Sequence, residues 1–151
     1  MDVYVVGFCF SEDKKEVALI KKTHPEWQKG KLNGIGGHVL ENEAPIDAMI
    51  REFAEEAGVL TTPEHWNLFA ELGGNYFHLY CFNCFDDEVM KNITTRTEEE
   101  ISFYPTLTMK IRDERMISNL SWLLGICLDE DMNRIVVSAL YENHEMLTNE
   151  R

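Results

Sequence analysis

The stretch that most constrains how this chain can fold runs from Gly36 to Val59. A glycine-rich turn, Gly36-Gly37, is expected to lead into a helix that begins near Ala44 and Pro45 and stops at Gly58. Proline suits a first helical turn and glycine a left-handed helix end. Within that helix Ile46, Met49, Ile50, Phe53 and Ala57 gather on one side. Glu52, Glu55 and Glu56 fall within roughly 100° of one another on the other, because positions i, i+3 and i+4 share a face. Like charges at these spacings cost roughly a few tenths of a kcal/mol per pair, a cost that a bound cation removes. Hard divalent ions take oxygen ligands, and magnesium characteristically bridges one or two carboxylates to substrate phosphates.

The remaining chain reads as an α/β frame around that element. Asp2–Phe10, β-branched and aromatic, predicts a buried strand, with Glu16–Lys22 its hairpin partner. Thr23–Lys31 predicts a loop carrying Trp27. Asn67–Leu72 and Tyr76–Phe85 predict two strands about a Gly73-Gly74-Asn75 turn, and a short helix is expected near Val89. Ile101–Met109 predicts a strand with an edge or bulge at Pro105. Glu114–Leu128 predicts a second amphipathic helix, and Arg134–Tyr141 a closing strand before a frayed tail. No repeat, low-complexity tract or linker interrupts this order, so a single domain over residues 1–151 is expected.

Charge and cysteine usage narrow the partners. With 14 Lys and Arg against 27 Asp and Glu, the net charge is −13. That balance argues against stable nucleic-acid binding or grip on an anionic membrane, since both need surplus cations. A phosphate-bearing ligand must be met locally, by metal or a few basic side chains. Cys81 and Cys84 have the spacing of half a zinc site, but in a strand i and i+3 face opposite sides, and no second pair completes them. Buried free thiols are the expectation for these and for Cys9 and Cys127. Reduced cysteines, no signal-like segment and no run able to span a bilayer predict a soluble cytoplasmic protein.

Five residues separate Gly37 from Glu43 and seven separate Glu43 from Arg51; Glu52, Phe53, Glu55, Glu56, Gly58 and Val59 follow. This pattern resembles the signature box of the Nudix hydrolases at every defined position. The resemblance implies an α/β/α sandwich in which a mixed sheet is flanked by helices and the box forms a loop–helix–loop. It implies hydrolysis of a nucleoside diphosphate linked to another group, by water attack on a pyrophosphate phosphorus with Mg2+ or Mn2+ as cofactor. Glu55 and Glu56 would be the principal metal ligands, helped by the Gly36 carbonyl, and Glu52 a ligand or general base. By the same resemblance a further acid from Glu98, Glu99 or Glu100 would complete the metal set, with Glu99 the expected ligand, and the base would be either Glu52 or an acid of that loop. Arg51 stands one turn before Glu55 and can orient it by an i, i+4 charged hydrogen bond. Glu43 would brace the loop.

Lys31–Gly37 is similar to the segment ahead of the box in MutT-type oxidised-purine nucleoside triphosphate hydrolases, which makes Asn33 a base-reading amide. A plain Asn-Gly turn is the alternative. Trp27, Phe77, Tyr80, Phe103 and Trp122 offer rings for stacking, and His38 either touches phosphate or stands exposed in a turn. Tyr76 stands where dinucleoside-polyphosphate hydrolases of the family tend to carry a tyrosine. The expected activity is cleavage of nucleoside triphosphates, oxidised purine forms included, to the monophosphate and pyrophosphate. The alternatives are a dinucleoside polyphosphate or nucleotide-sugar substrate and, in another class, a sensor that binds nucleotide without hydrolysis, which would show eroded ligands. The expected partner is a small nucleotide, and a homodimer is compatible with the sequence.

Overall fold

The computed structural model describes residues 1–109, 114–132 and 136–140. Its spine is β1 (Asp2–Phe10). Val6, Phe8 and Phe10 enter one hydrophobic core and Val5 and Cys9 the other, so the strand's nearly unbroken apolar run reflects a sheet covered on both faces. On one side, β6 (Phe77–Phe85) runs parallel to β1 along its whole length. β5 (Asn67–Gly73) pairs antiparallel with β6, and β8 (Val137–Leu140) parallel with β5.

The other side of β1 is shared between two strands. β2 (Glu16–Lys21) pairs with it antiparallel at Cys9 and Phe10, whereas β4 (Ile35–His38) pairs at Tyr4, Val5, Val6 and Gly7. β3 (Leu32–Asn33) and β7 (Ile101–Pro105) attach to β2 instead. The mixed sheet therefore forks between β2 and β4.

Two helices cover the two faces. α1 (Pro45–Ala57) buries Ala48, Met49, Phe53 and Ala57 against the Val5 and Cys9 face, with Ile46 and Ile50 packed at its margin. Phe53 meets the Trp66 ring edge-on at 5.1 Å. Burying Phe53 and Met49 contributes roughly 2 kcal/mol each, several times the repulsion among the helix's carboxylates. α1 ends with Gly58 at φ 72°, the left-handed conformation that glycine adopts freely. The last helix, Leu120–Leu128, buries Leu120, Leu123, Leu124 and Cys127 against the Val6 and Phe8 face. The result is the α/β/α sandwich with a mixed sheet.

Several boundaries differ from the sequence expectation for identifiable reasons. Gly36 and Gly37 lie in β4 rather than in a turn, and neither has a positive φ. Close approach requires glycine at Gly36, where a Cβ would strike the Val5 carbonyl, whereas a Cβ on Gly37 would lie 2.6 Å from the Glu52 carboxyl and displace it. The expected strand Ile101–Met109 stops at Pro105, and Thr106–Met109 forms one helical turn, which buries Thr106 and Met109 together. Thr106 Oγ1 donates to the Lys14 carbonyl at 2.6 Å. The helix expected over Glu114–Leu128 begins only at Leu120, because Met116 is held in a bridge to Leu32. Leu32 N–H donates to the Arg115 carbonyl at 2.6 Å and Ile117 N–H to the Leu32 carbonyl at 3.2 Å. A short helix, Asp87–Asn92, does occur near Val89, its first turn capped by Asp86. Of the closing strand, Val137–Leu140 is observed; Arg134, Ile135, Tyr141 and the tail lie outside the described residues.

All four cysteines are free and buried, with Cys81 in one core and Cys84 in the other. Among the described residues no helix is long and apolar enough to cross a membrane.

Candidate active site

The fork in the sheet opens into a cleft of about 1090 Å³. Val5 and Val6, which belong to opposite faces of β1, both line it, as do Gly34, Gly36 and Gly37 from the fork itself. Glu52 and Glu56 reach it from α1, and Glu99 from the segment before β7. Trp27, Asn33, His38 and Tyr76 border the same space. Arg51, Glu55 and Glu43 do not line it. Of the candidate stacking rings, Trp27 and Phe77 line the cleft, while Tyr80 and Phe103 do not. Trp122 borders a separate hollow on the last helix with Ser121 and Ile126.

Arg51 organises the box. Its Nε donates to Glu43 Oε2 at 2.9 Å and its Nη2 to Glu43 Oε1 at 3.0 Å, a two-pronged grip that matches guanidinium to carboxylate geometry. Nη2 also donates to the His38 carbonyl at 2.8 Å, and Nη1 to Glu52 Oε1 at 2.8 Å. The i, i+4 contact with Glu55 is present but is the longest of the set at 3.5 Å, and the Glu55 side chain is 56% exposed. Arg51 therefore orients Glu52 and the β4–α1 loop more than it orients Glu55. Glu43 completes the brace by accepting the Leu40 N–H at 3.0 Å. These hydrogen bonds hold the Glu43 carboxyl below the usual carboxylate range, Arg51 contributing most.

Glu56 has the opposite character. Burial, reinforced by the neighbouring charges of Glu52 and Glu99, pushes its pKa up from 4.5 to about 8, and Lys22 only partly opposes the rise. Its Oε2 is buried with no hydrogen-bond partner. Such an atom is costly to leave unsatisfied.

Glu99 is the one member of Glu98–Glu100 that lines the cleft. Its Oε2 accepts the Thr23 N–H at 2.7 Å and its Oε1 pairs with Lys22 Nζ at 3.1 Å. Burial alone would raise its pKa, but the Thr23 N–H and the Lys22 charge together hold it low. Glu98 is exposed, 4.0 Å from His24, and Glu100 accepts the Ser102 hydroxyl at 3.2 Å. Among the described residues no three His, Cys, Asp or Glu side chains already enclose a point suited to a metal ion. Glu52 is drawn to Arg51 and Glu99 to Lys22, so the carboxylates face one cavity without converging.

Elsewhere in the cleft lining, Asn33 Oδ1 accepts the Gly34 N–H at 2.7 Å and its Nδ2 donates to Gln28 Oε1 at 3.1 Å. This fixes the orientation of the amide while leaving one lone pair and one N–H. His38 is exposed and lies against Tyr4, ring centroids 4.3 Å apart. Tyr76 is exposed at the rim.

Three cleft residues escaped sequence reasoning. Lys22 closes the expected second strand and carried no signal of its own. Gln28 lies on a single turn of 3-10 helix, Glu26–Gln28, inside what reads as a plain loop. Asn119, whose buried Oδ1 has no hydrogen-bond partner, stands between Ile117 and Leu123 in the cleft lining. It falls inside the expected helix Glu114–Leu128, where a lone asparagine attracts no notice.

A family model, the NUDIX domain, matches residues 1–123. No curated protein matches the chain by sequence. A MutT protein described for Aliivibrio salmonicida and Vibrio cholerae superposes with a TM-score of 0.66 at 19% identity, covering 82% of this chain and 95% of that one. The mutator MutT protein of Bacillus halodurans gives a TM-score of 0.68 at 14% identity over 94% and 91% of the two chains. The NUDIX domain of Shewanella oneidensis NrtR, complexed with ADP ribose, gives 0.65 at 15% identity over 82% and 83%. At these identities the likeness is one of fold. Together with the match over residues 1–123, it means that the chain belongs to the NUDIX family, a hydrolase of pyrophosphate bonds.

Proposed function

We propose that this hydrolase cleaves purine nucleoside triphosphates, oxidised forms included, to the monophosphate and pyrophosphate with magnesium. The observation that carries the reading is one cleft lined both by acids, Glu52, Glu56 and Glu99, and by rings and amides, Trp27, Phe77, Asn33 and Asn119. A purine edge offers donors and acceptors, and two amides can match both. The unpartnered Asn119 Oδ1 is an acceptor awaiting a donor.

The residues fit a hard divalent cation. Glu56 Oε2 is buried and unpaired beside two further carboxylates, a donor set of oxygens that a cation would satisfy. Glu56 and Glu99 would hold it, with the Gly36 carbonyl beside them and Glu55 reaching in from the exposed side by a change of rotamer. Bound there, a divalent ion supplies charge neutralisation at the pyrophosphate oxygens and a more acidic water. Arg51 pins one oxygen of Glu52, leaving the other to accept the proton of the attacking water. Gly36 and Gly37 let β4 pack directly against Val5 and Glu52 in the cleft lining. His38, exposed at the same wall, adds a donor. Buried free thiols support a cytoplasmic setting.

Tyr76 at the cleft rim favours a second reading, a dinucleoside polyphosphate whose other base stacks there. Incubation with a panel of nucleoside triphosphates, dinucleoside polyphosphates and nucleotide sugars, with products resolved by chromatography, decides between them. Monophosphate and pyrophosphate formed fastest from purine triphosphates is the expected result; faster turnover of a dinucleoside polyphosphate would overturn it. Asn33→Ala and Asn119→Ala are each expected to lower kcat/KM for purine triphosphates about tenfold, with pyrimidine substrates nearly unchanged. Equal losses on both classes would remove these amides from base recognition.

A further inference from the structure

The cleft's acidic lining already contains a cation of the protein's own. Lys22 Nζ, on a side chain only 13% exposed, pairs with Glu99 Oε1 at 3.1 Å in the same lining as Glu52 and Glu56. A largely enclosed ammonium paired with Glu99 and attracted to Glu56 is an odd neighbour for a divalent metal, since the two cations repel. Glu99 does not need Lys22 to stay in place. Its other oxygen is anchored by the Thr23 N–H at 2.7 Å and approached by Thr23 Oγ1 at 3.4 Å, and its own N–H donates to Thr97 Oγ1 at 3.1 Å. Lys22 is likewise held from the backbone: its N–H donates to the Lys31 carbonyl at 2.9 Å, and its carbonyl accepts the Gly30 N–H at 2.7 Å. Only the flexible arm of Lys22 is free to move between partners.

We propose that Lys22 is an exchangeable counter-cation: it neutralises Glu99 in the metal-free protein, yields that oxygen when a divalent metal enters, and turns its ammonium toward the substrate's phosphates. The inference rests on the metal-dependent reading above. It makes Lys22 a positioning residue with two stations rather than a static strut. The metal-free cradle is kept from self-repulsion by a charge tethered beside it, and the same charge opposes tight metal binding until phosphate arrives to take it up.

The test is a manganese titration without substrate, in which electron paramagnetic resonance counts free Mn2+. Lys22→Met is expected to bind Mn2+ about tenfold more tightly than the wild type, and Lys22→Arg about as the wild type does. Metal-free Lys22→Met should melt below the wild type and gain more from Mn2+. In the presence of metal, its affinity for inorganic pyrophosphate should fall. Lys22→Gln carries the same expectations if Lys22→Met does not fold. Unchanged or weaker Mn2+ binding by the folded neutral variant, with normal binding by the wild type, overturns this proposal alone. A wild type that binds no Mn2+ overturns the metal-dependent reading and this one with it.

Discussion

Glu56→Gln is expected to raise the melting temperature of the metal-free protein at pH 8 while lowering hydrolysis about a hundredfold to a thousandfold. The two effects share one cause. Glutamine keeps the shape of Glu56 but cannot ionise, so the folded protein no longer has to bury a charge. The folded pKa of Glu56 is about 8 against an ordinary 4.5, so folding favours the protonated acid. Its contribution to stability is full below pH 4.5 and drains away as pH rises toward 8. The glutamine variant should lack that decline. At the size of this chain each kcal/mol corresponds to roughly 2–4 °C, so melting curves taken in chelator between pH 5 and 8 resolve the difference. Magnesium should then reverse the order, stabilising the wild type through binding to the folded state and leaving the variant unmoved. A variant that still gains stability from magnesium, or still turns over substrate, would exclude Glu56 as a ligand.

Arg51→Ala should be the most destabilising single change among the charged residues of the box, at about 2–3 kcal/mol by urea denaturation. The guanidinium makes four short hydrogen bonds, two to Glu43 and one each to Glu52 and the His38 carbonyl. Its removal leaves Glu43 and Glu52, with side chains 15% and 13% exposed, as unpaired carboxylates facing a cluster of like charge. Lysine supplies the charge but not the fork, so Arg51→Lys should recover less than half of the loss. Hydrolysis should fall about a hundredfold in the alanine variant, because Glu52 and the β4–α1 loop lose the group that places them. Full recovery by lysine would show that charge alone matters there.

The helix of the box was legible because its information is local. Apolar spacing, proline at the start and glycine at the end specify Pro45–Ala57 within a residue of the expected bounds. The acidic face followed from the same periodicity. What was not legible depends on pairing between distant segments. Whether Gly36 and Gly37 turn or extend is decided by β1, which takes β4 as a neighbour along Tyr4–Gly7. Where the last helix starts is decided by Leu32, which captures Met116. Asn119 is thereby left in the cleft instead of on a helix flank. The choice among three consecutive glutamates is likewise made from afar, by the Thr23 N–H and Lys22. Trp27 and Trp122 look alike in the sequence, yet only the first borders the cleft, because the fork lies beside one and not the other.

The forked sheet has a consequence for how such a protein can change. Glu52 and Glu56 arrive from the helix on one face of β1, whereas Ile117, Asn119 and Leu123 arrive from the segment covering the other. The two groups share a cavity but no structural element. Substitutions around Asn119 can therefore be sampled without disturbing the Arg51 brace, and drift on α1 is not transmitted to Asn119 through a shared element. Under the proposed function, selection can retune which nucleotide is taken while holding the bond-breaking apparatus constant, and a library confined to the Ile117–Leu123 segment is the economical route to new substrates.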